Sequence, residues 1–328
     1  MSSSESNLEK FLIPLEEIKR ATNDFSHEIK IGGVSTEIVY PRSKYYRGTL
    51  SERWQNRTAA IKRRAQHTAI TNKEFYNEIN FASRFNHENI ISFIGYCHEG
   101  DEMIIVTEYA INGSLEDHLL DPEKLLSLTW PQHLKICIGA AKGLYYLHSV
   151  LGEGYSVIHG NFKSRNIWLD ENLEAKLCSF YFSREVGVYQ KNSLKVGMVN
   201  SLYIDPIYME SCFVRPEADA YSFGVVLFEL LIGMLANHRK TIGDDKPQNM
   251  KILVRRYYED GLDNLIDPCI RDHIDRRSLR TIREIAYKCI SLNLKDRPSM
   301  DRIIKRIREA LDIHVSNFFY LYLIRVIC

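Results

Sequence analysis

Net charge is nearly absent from this sequence: 43 basic side chains stand against 42 acidic ones, a formal +1. That balance provides no global field to draw in nucleic acid or an anionic membrane, so neither is expected as a partner. The obvious basic run, Lys62-Arg63-Arg64, reads as a solvated face near a strand end. Paired cysteines are lacking too. Cys97, Cys137, Cys178, Cys212, Cys269, Cys289 and Cys328 are scattered, odd in number and never spaced as C-x-x-C, which argues for a reducing compartment and against zinc. The opening Met1-Ser2-Ser3-Ser4-Glu5 has no basic stretch leading into an apolar one and no glycine at position 2, so neither a signal peptide nor a myristoyl anchor is expected. The apolar tail, residues 315–328, runs for only about fourteen residues, short of the roughly 20 that span a bilayer. A packing role, or a terminus with no selected role, is favoured for it over docking or peripheral membrane contact. With 45% hydrophobic and 26% charged residues, the rest has the make-up of a globular protein with a substantial core.

Internal repeats and low-complexity stretches are missing as well, so the order of helical and strand patterns defines the architecture. A polar leader precedes a short helical pattern over residues 15–23. β-rich segments follow at 44–50 and 58–62, a helix-like stretch at 72–85, and apolar strand patterns at 90–95 and 103–109. Beyond a turn at Asn112-Gly113, helical patterns dominate. The clearest covers residues 130–149, where Thr129 is placed to N-cap, Pro131 suits the first turn, and Leu134, Ile138, Ala141, Tyr145 and His148 recur at helical spacing. Residues 217–231 are apolar all round, so that helix is expected to run through the core of the second half. The expected fold class is α+β: a small β-rich lobe, a short hinge, a larger helical lobe and a ligand cleft between them.

Short motifs punctuate this pattern. Phe11-Leu12-Ile13-Pro14-Leu15-Glu16-Glu17-Ile18 and Ala21-Thr22-Asn23-Asp24-Phe25 lie in the leader, and Ala59-Ala60-Ile61-Lys62 ends a strand. Asn166-Ile167-Trp168-Leu169-Asp170, then Asp219-Ala220-Tyr221-Ser222-Phe223-Gly224, then Asp296-Arg297-Pro298-Ser299-Met300 follow. In order and spacing these resemble the eukaryotic protein kinases, in particular the plant receptor-like and receptor-like cytoplasmic kinases of the Pelle type. The resemblance covers nearly the whole chain. It implies a bilobal protein kinase fold of the serine/threonine type, with a leader over residues 1–25, a kinase-like domain over 26–313 (N-lobe 26–110, C-lobe 111–313) and an apolar tail over 314–328.

It also implies roles for single residues. Lys62 matches the strand lysine that holds the α and β phosphates, and Glu78 the helix glutamate that fixes it as an ion pair. Thr107 matches the gatekeeper, with Glu108-Tyr109-Ala110 as hinge. Trp168 stands where a smaller aliphatic residue usually lies beneath the adenine ring; its volume either fills part of that site or repacks the core. Other positions depart from the family. Gly32 and Gly33 begin a phosphate loop in which at least one glycine is replaced and into which Glu37 and Pro41 intrude, so phosphate cradling is expected to be poor. The catalytic loop reads His159-Gly160-Asn161-Phe162-Lys163-Ser164-Arg165-Asn166: the proton-accepting aspartate is Asn161, whereas Lys163 and Asn166 persist. Ser179-Phe180-Tyr181 stands for the metal-binding D-F-G, and serine is a weak ligand for a hard divalent cation. Asp205-Pro206-Ile207 replaces A-P-E, which leaves Arg297 without its usual buried glutamate, and Asn200 replaces a threonine that contacts the catalytic loop.

Loss of base, metal ligand and phosphate loop together leaves little rate above background. The expected function is therefore a catalytically impaired kinase-like domain, a pseudokinase, serving as signalling scaffold or regulator of a partner receptor kinase or other signalling protein. The alternative is an active or weakly active serine/threonine kinase with atypical metal and base usage that transfers phosphate from ATP to protein. No cofactor is required on the first reading, and ATP is an optional ligand without strong magnesium dependence, Asn166 being the one metal-capable position kept. The activation segment, with Ser193 and Ser201, is a candidate substrate of the partner kinase. The expected location is cytoplasmic, at the cytosolic face of the plasma membrane where a partner holds it there.

Overall fold

The computed structural model describes residues 8–31, 43–64, 69–149, 155–187, 202–240, 246–257, 264–271 and 274–327. The phosphate loop with Gly32, Gly33, Glu37 and Pro41, and the activation-segment positions Ser193, Asn200 and Ser201, lie outside the described residues.

Five antiparallel strands build the N-lobe: β1 (Lys30–Ile31), β2 (Lys44–Thr49), β3 (Thr58–Arg63), β4 (Phe93–Glu99) and β5 (Glu102–Glu108), ordered β1-β2-β3-β5-β4. Successive strand residues face opposite sides, and β2 divides its two tyrosines accordingly. Tyr46 enters the core with Ile61 and Val106, while Tyr45, in register with Lys62, turns to the cleft and meets Trp168. Two helices flank the sheet, α1 (Leu15–Ala21) and α2 (Ala69–Ala82). Phe75 and Ile79, one turn apart on α2, face the sheet and pack with Tyr96, Met103 and Ile105.

The leader is seated on this sheet from Leu8 onward. Ile13 and Ile18 are buried in the N-lobe core, and the Ile13 amide donates to the Tyr96 carbonyl at 2.8 Å. Gly95 on β4 makes the approach possible, since a Cβ there would lie 2.4 Å from the Phe11 carbonyl oxygen.

The C-lobe is mainly helical: α3 (Leu115–Leu120), α4 (Pro122–Ser127), α5 (Trp130–Ser149), α6 (Pro206–Ser211), α7 (Pro216–Ile232), α8 (Met250–Tyr257), α9 (Pro268–Arg271), α10 (Arg276–Cys289) and α11 (Met300–Ile327). As its composition predicts, α7 is buried on nearly every side, packed between α5 and α10. One continuous helix, α11, carries the chain through residues 313 and 314. Two short ribbons at the lobe junction, β6 (Tyr155–Ile158) with β9 (Arg184–Gly187) and β7 (Ile167–Leu169) with β8 (Ala175–Leu177), position the cleft residues.

Two elements are displaced by three residues or more from the sequence expectation. The strand expected at 90–95 is β4, three residues later; Ile90 and Ile91 instead tie the sheet to β8, the Ile91 amide donating to the Leu177 carbonyl at 2.9 Å. The helix expected at 72–85 is α2, which starts and stops three residues earlier. Short apolar runs carry no register of their own, so their ends are set by tertiary pairing.

Candidate functional site

The cleft is built first from charge. Lys62 is the last residue but one of β3 and Glu78 lies on the facing side of α2; Nζ sits 2.9 Å from both carboxylate oxygens, and the pair is buried. Arg64 joins it, 3.2 Å from Glu78 and 3.4 Å from Glu74. Burial opposes both charges, yet Lys62 and Arg64 hold the Glu78 carboxyl below its ordinary range, and Glu78 holds the Lys62 ammonium above its own. The basic run is therefore not a solvated face: Lys62 and Arg64 are buried against Glu78, and Arg63 pairs with Glu102 on β5. Internal carboxylates claim all three charges.

The catalytic loop is anchored from below. Asp219 on α7 accepts hydrogen bonds from the amides of His159 (2.8 Å) and Gly160 (2.9 Å). His159 Nδ1 accepts from the backbone N–H of Asn161 at 3.2 Å while Nε2 donates to the Cys178 carbonyl at 3.0 Å, which fixes a neutral imidazole whose pKa burial pushes down. Phe180 packs between His159, tilted at 58°, and the edge-on ring of Phe85, with centroids 5.2 and 5.1 Å away. Gly160 adopts φ +70°, and a Cβ there would come within 2.9 Å of the Phe182 carbonyl oxygen. The framework of a working loop is thus in place.

Its base and metal positions carry neutral side chains. Asn161, at the position matched to the base, is buried. An amide cannot take the proton of an attacking hydroxyl. Asn166 spends its amide nitrogen on the Asn161 carbonyl at 2.7 Å, and Lys163 is buried beside them. Ser179 stands at the metal position in a left-handed conformation, φ +70°, with its hydroxyl 3.6 Å from the Cys178 sulfur. A hard divalent cation seeks carboxylate oxygens; a hydroxyl beside a thiol and a neutral amide do not fit magnesium.

Aromatic rings line the same cleft. Tyr45 on β2 and Trp168 on β7 meet across the cleft with centroids 5.5 Å apart. Trp168 also packs against the C-lobe core. Tyr181 places its ring 5.2 Å from the Lys62 ammonium and 5.6 Å from the Arg64 guanidinium, and burial raises its hydroxyl pKa. Asn77, next to Glu78 on α2, fixes the Tyr181 backbone: its amide nitrogen donates to the carbonyls of Tyr181 (2.8 Å) and Ser183 (3.1 Å). At the hinge, Thr107 lies in register with Ala60, Glu108 turns its carboxylate to the Ser92 amide (2.9 Å), and the buried Ala110 accepts from the Gly113 amide (3.2 Å).

A second expectation is corrected. Arg297 does have a buried acid: both of its terminal nitrogens reach the two oxygens of Asp205, at 2.6 and 2.7 Å. The carboxylate comes from the first position of the degenerate motif instead of the last, and the fork of Arg297 is satisfied all the same.

Sequence reading missed Tyr45, Asn77, Asp205 and the placement of Tyr181. Strand alternation over Tyr45-Tyr46 was the available signal for the first; the others depend on tertiary reach that no local pattern encodes.

A lysine–glutamate pair between β3 and α2, above a histidine loop anchored on α7, defines a protein kinase fold of two lobes. A profile of the protein tyrosine and serine/threonine kinases matches residues 41–307, and the chain belongs to that family. Among curated proteins of Arabidopsis thaliana, it is 37% identical to a probable receptor-like protein kinase over 92% of this chain. Receptor-like protein kinase HERK 1 shows the same 37% over 92%, and a probable LRR receptor-like serine/threonine-protein kinase shows 35% over 94%. The chain spans only about a third of these relatives' length, 35%, 35% and 32% respectively.

Proposed function

We propose that this kinase domain is catalytically impaired and acts as a signalling scaffold or regulator of a partner receptor kinase. The observation that carries the reading is the contrast within one cleft. The Lys62–Glu78 pair, the His159–Phe180 contact and the Asp219 anchor are built as in a working kinase, while Asn161 and Ser179 stand at the base and metal positions. Loss of a positioned base alone costs about 10²–10⁴-fold in rate, and the missing metal ligand acts on the same transition state. Packing is retained where chemistry is not, the pattern of a fold used for its surfaces. Receptor-like kinases among its relatives support a partner of that class, one that holds the domain at the cytosolic face of the plasma membrane and phosphorylates its activation segment at Ser193 or Ser201.

The test is incorporation of labelled phosphate from ATP into the chain itself and into a generic protein substrate, with magnesium and with manganese, beside a Lys62→Met control. Incorporation at the control's level is expected. Transfer that Lys62→Met abolishes would overturn the proposal in favour of an active serine/threonine kinase with atypical metal and base usage.

A further inference from the structure

A purine held between two side chains needs one van der Waals layer on each face, about 3.5 Å each, so the flanking groups must stand roughly 7 Å apart. Tyr45 and Trp168, one from each lobe, have ring centroids 5.5 Å apart at an interplanar angle of 47°. That is the range of rings in mutual contact, and no planar base fits between them. Both positions are fixed by backbone pairing: Tyr45 is in register with Lys62 on β3, and Trp168 with Lys176 on β8.

The phosphate end is filled as well. The Lys62 ammonium has Glu78 on one side and two rings on the other, 5.2 Å from the Tyr181 centroid and 6.0 Å from that of Tyr45. Arg64 lies 5.6 Å from the same Tyr181 ring. These are cation–π separations, and such contacts gain strength as water is withdrawn. The Asn77 clamp on the Tyr181 carbonyl keeps this ring in place.

We infer that the cleft is occupied by the protein's own side chains: Tyr45 and Trp168 take the adenine slot, and Tyr181 takes the place of the phosphates over Lys62. The inference rests on the scaffold reading above and deepens it. The Tyr45–Trp168 contact joins the lobes without a nucleotide, so the surfaces offered to a partner do not vary with ATP. Nucleotide is excluded by volume, and the missing metal ligand is a separate deficit.

Thermal shift and titration with a ribose-labelled fluorescent ATP, in EDTA and in magnesium, test this on the whole chain. Wild type is expected to respond to neither form. The variant Tyr45→Val/Trp168→Leu/Tyr181→Gly is expected to bind about tenfold tighter or better in EDTA, whereas Ser179→Asp alone gains nothing. Wild-type binding as tight as the triple variant's overturns the inference, as does a folded triple variant no more responsive than wild type, or Ser179→Asp binding as well as the triple. If the triple variant does not fold, Trp168→Leu and Tyr181→Gly are titrated singly, and absence of gain in both overturns it. The readout is binding, so a wild type that binds ATP as tightly as the triple variant but transfers no phosphate sinks this inference and leaves the scaffold reading standing.

Discussion

A buried charge is best judged by what remains when its partner goes. The side chains of Arg297 and Asp205 are 0% and 3% exposed, and Arg297 also donates to the carbonyls of Ser291 (2.8 Å) and Glu217 (3.0 Å). Removing the carboxylate leaves a guanidinium fixed in the protein with only neutral acceptors. Asp205→Ala is therefore expected to cost about 3–5 kcal/mol in urea unfolding, and Asp205→Asn, which keeps an acceptor, distinctly less. A loss no larger for alanine than for asparagine would mean that charge is not what holds the pair. This contact also shows where reading residues one by one stops. The A-P-E comparison assigns the acid to position 207, where Ile207 stands, whereas the fold lets a carboxylate two residues earlier reach the same arginine. Lys62 and Glu78 were legible because their chemistry and their place on strand and helix coincide. Tyr181 was legible as a replaced glycine, but the direction of its ring was not.

Elements were legible in proportion to their periodicity. The helix α5 falls on the expected residues 130–149, and α7 adds one residue at each end to the expected 217–231. Long apolar periods fix such helices before any neighbour is known. The leader is the opposite case: its motif could be recognised, but its docking depends on β4 and on side chains far along the chain. The Ser51 amide donates to Glu17 at 2.7 Å and the Leu15 amide to Glu99 at 3.0 Å, while Ile18 is fully buried beneath them. If α1 is part of the N-lobe core, Ile18→Ala should cost about 2–5 kcal/mol, with a lower denaturation midpoint and an unchanged slope. Leu12→Ala, at a side chain left 45% exposed, should stay within about 0.5 kcal/mol. Equal effects from the two would show that the leader is not integral to the lobe.

For the molecule as a whole, two buried groups make stability depend on pH in opposite directions. Burial pushes the His133 imidazole from 6.5 down to about 4, and neither ring nitrogen has a hydrogen-bond partner among the described residues. The unfolded chain therefore binds the extra proton between those values, and stability from this group is lost as pH falls from 6.5 toward 4. Burial pushes the Glu229 carboxyl from 4.5 up to about 7, against the hydroxyl of Tyr203 and the amide of Ala236. Here the folded chain holds the extra proton, and stability is lost as pH rises from 4.5 through 7. Each slope approaches 1.4 kcal/mol per pH unit where only one state is protonated, so between 4.5 and 6.5 the two largely cancel. Glu229→Gln keeps the shape and removes only the titration. It should match wild type near pH 4 and exceed it at pH 8 by about 3 kcal/mol, the carboxyl ionising at about 7 in the folded chain instead of its ordinary 4.5, at about 1.4 kcal/mol per pH unit. Urea unfolding of both proteins at the two pH values checks this. A difference that does not grow with pH would mean that Glu229 is ionised in the folded core throughout, stabilised by groups other than Tyr203 and Ala236.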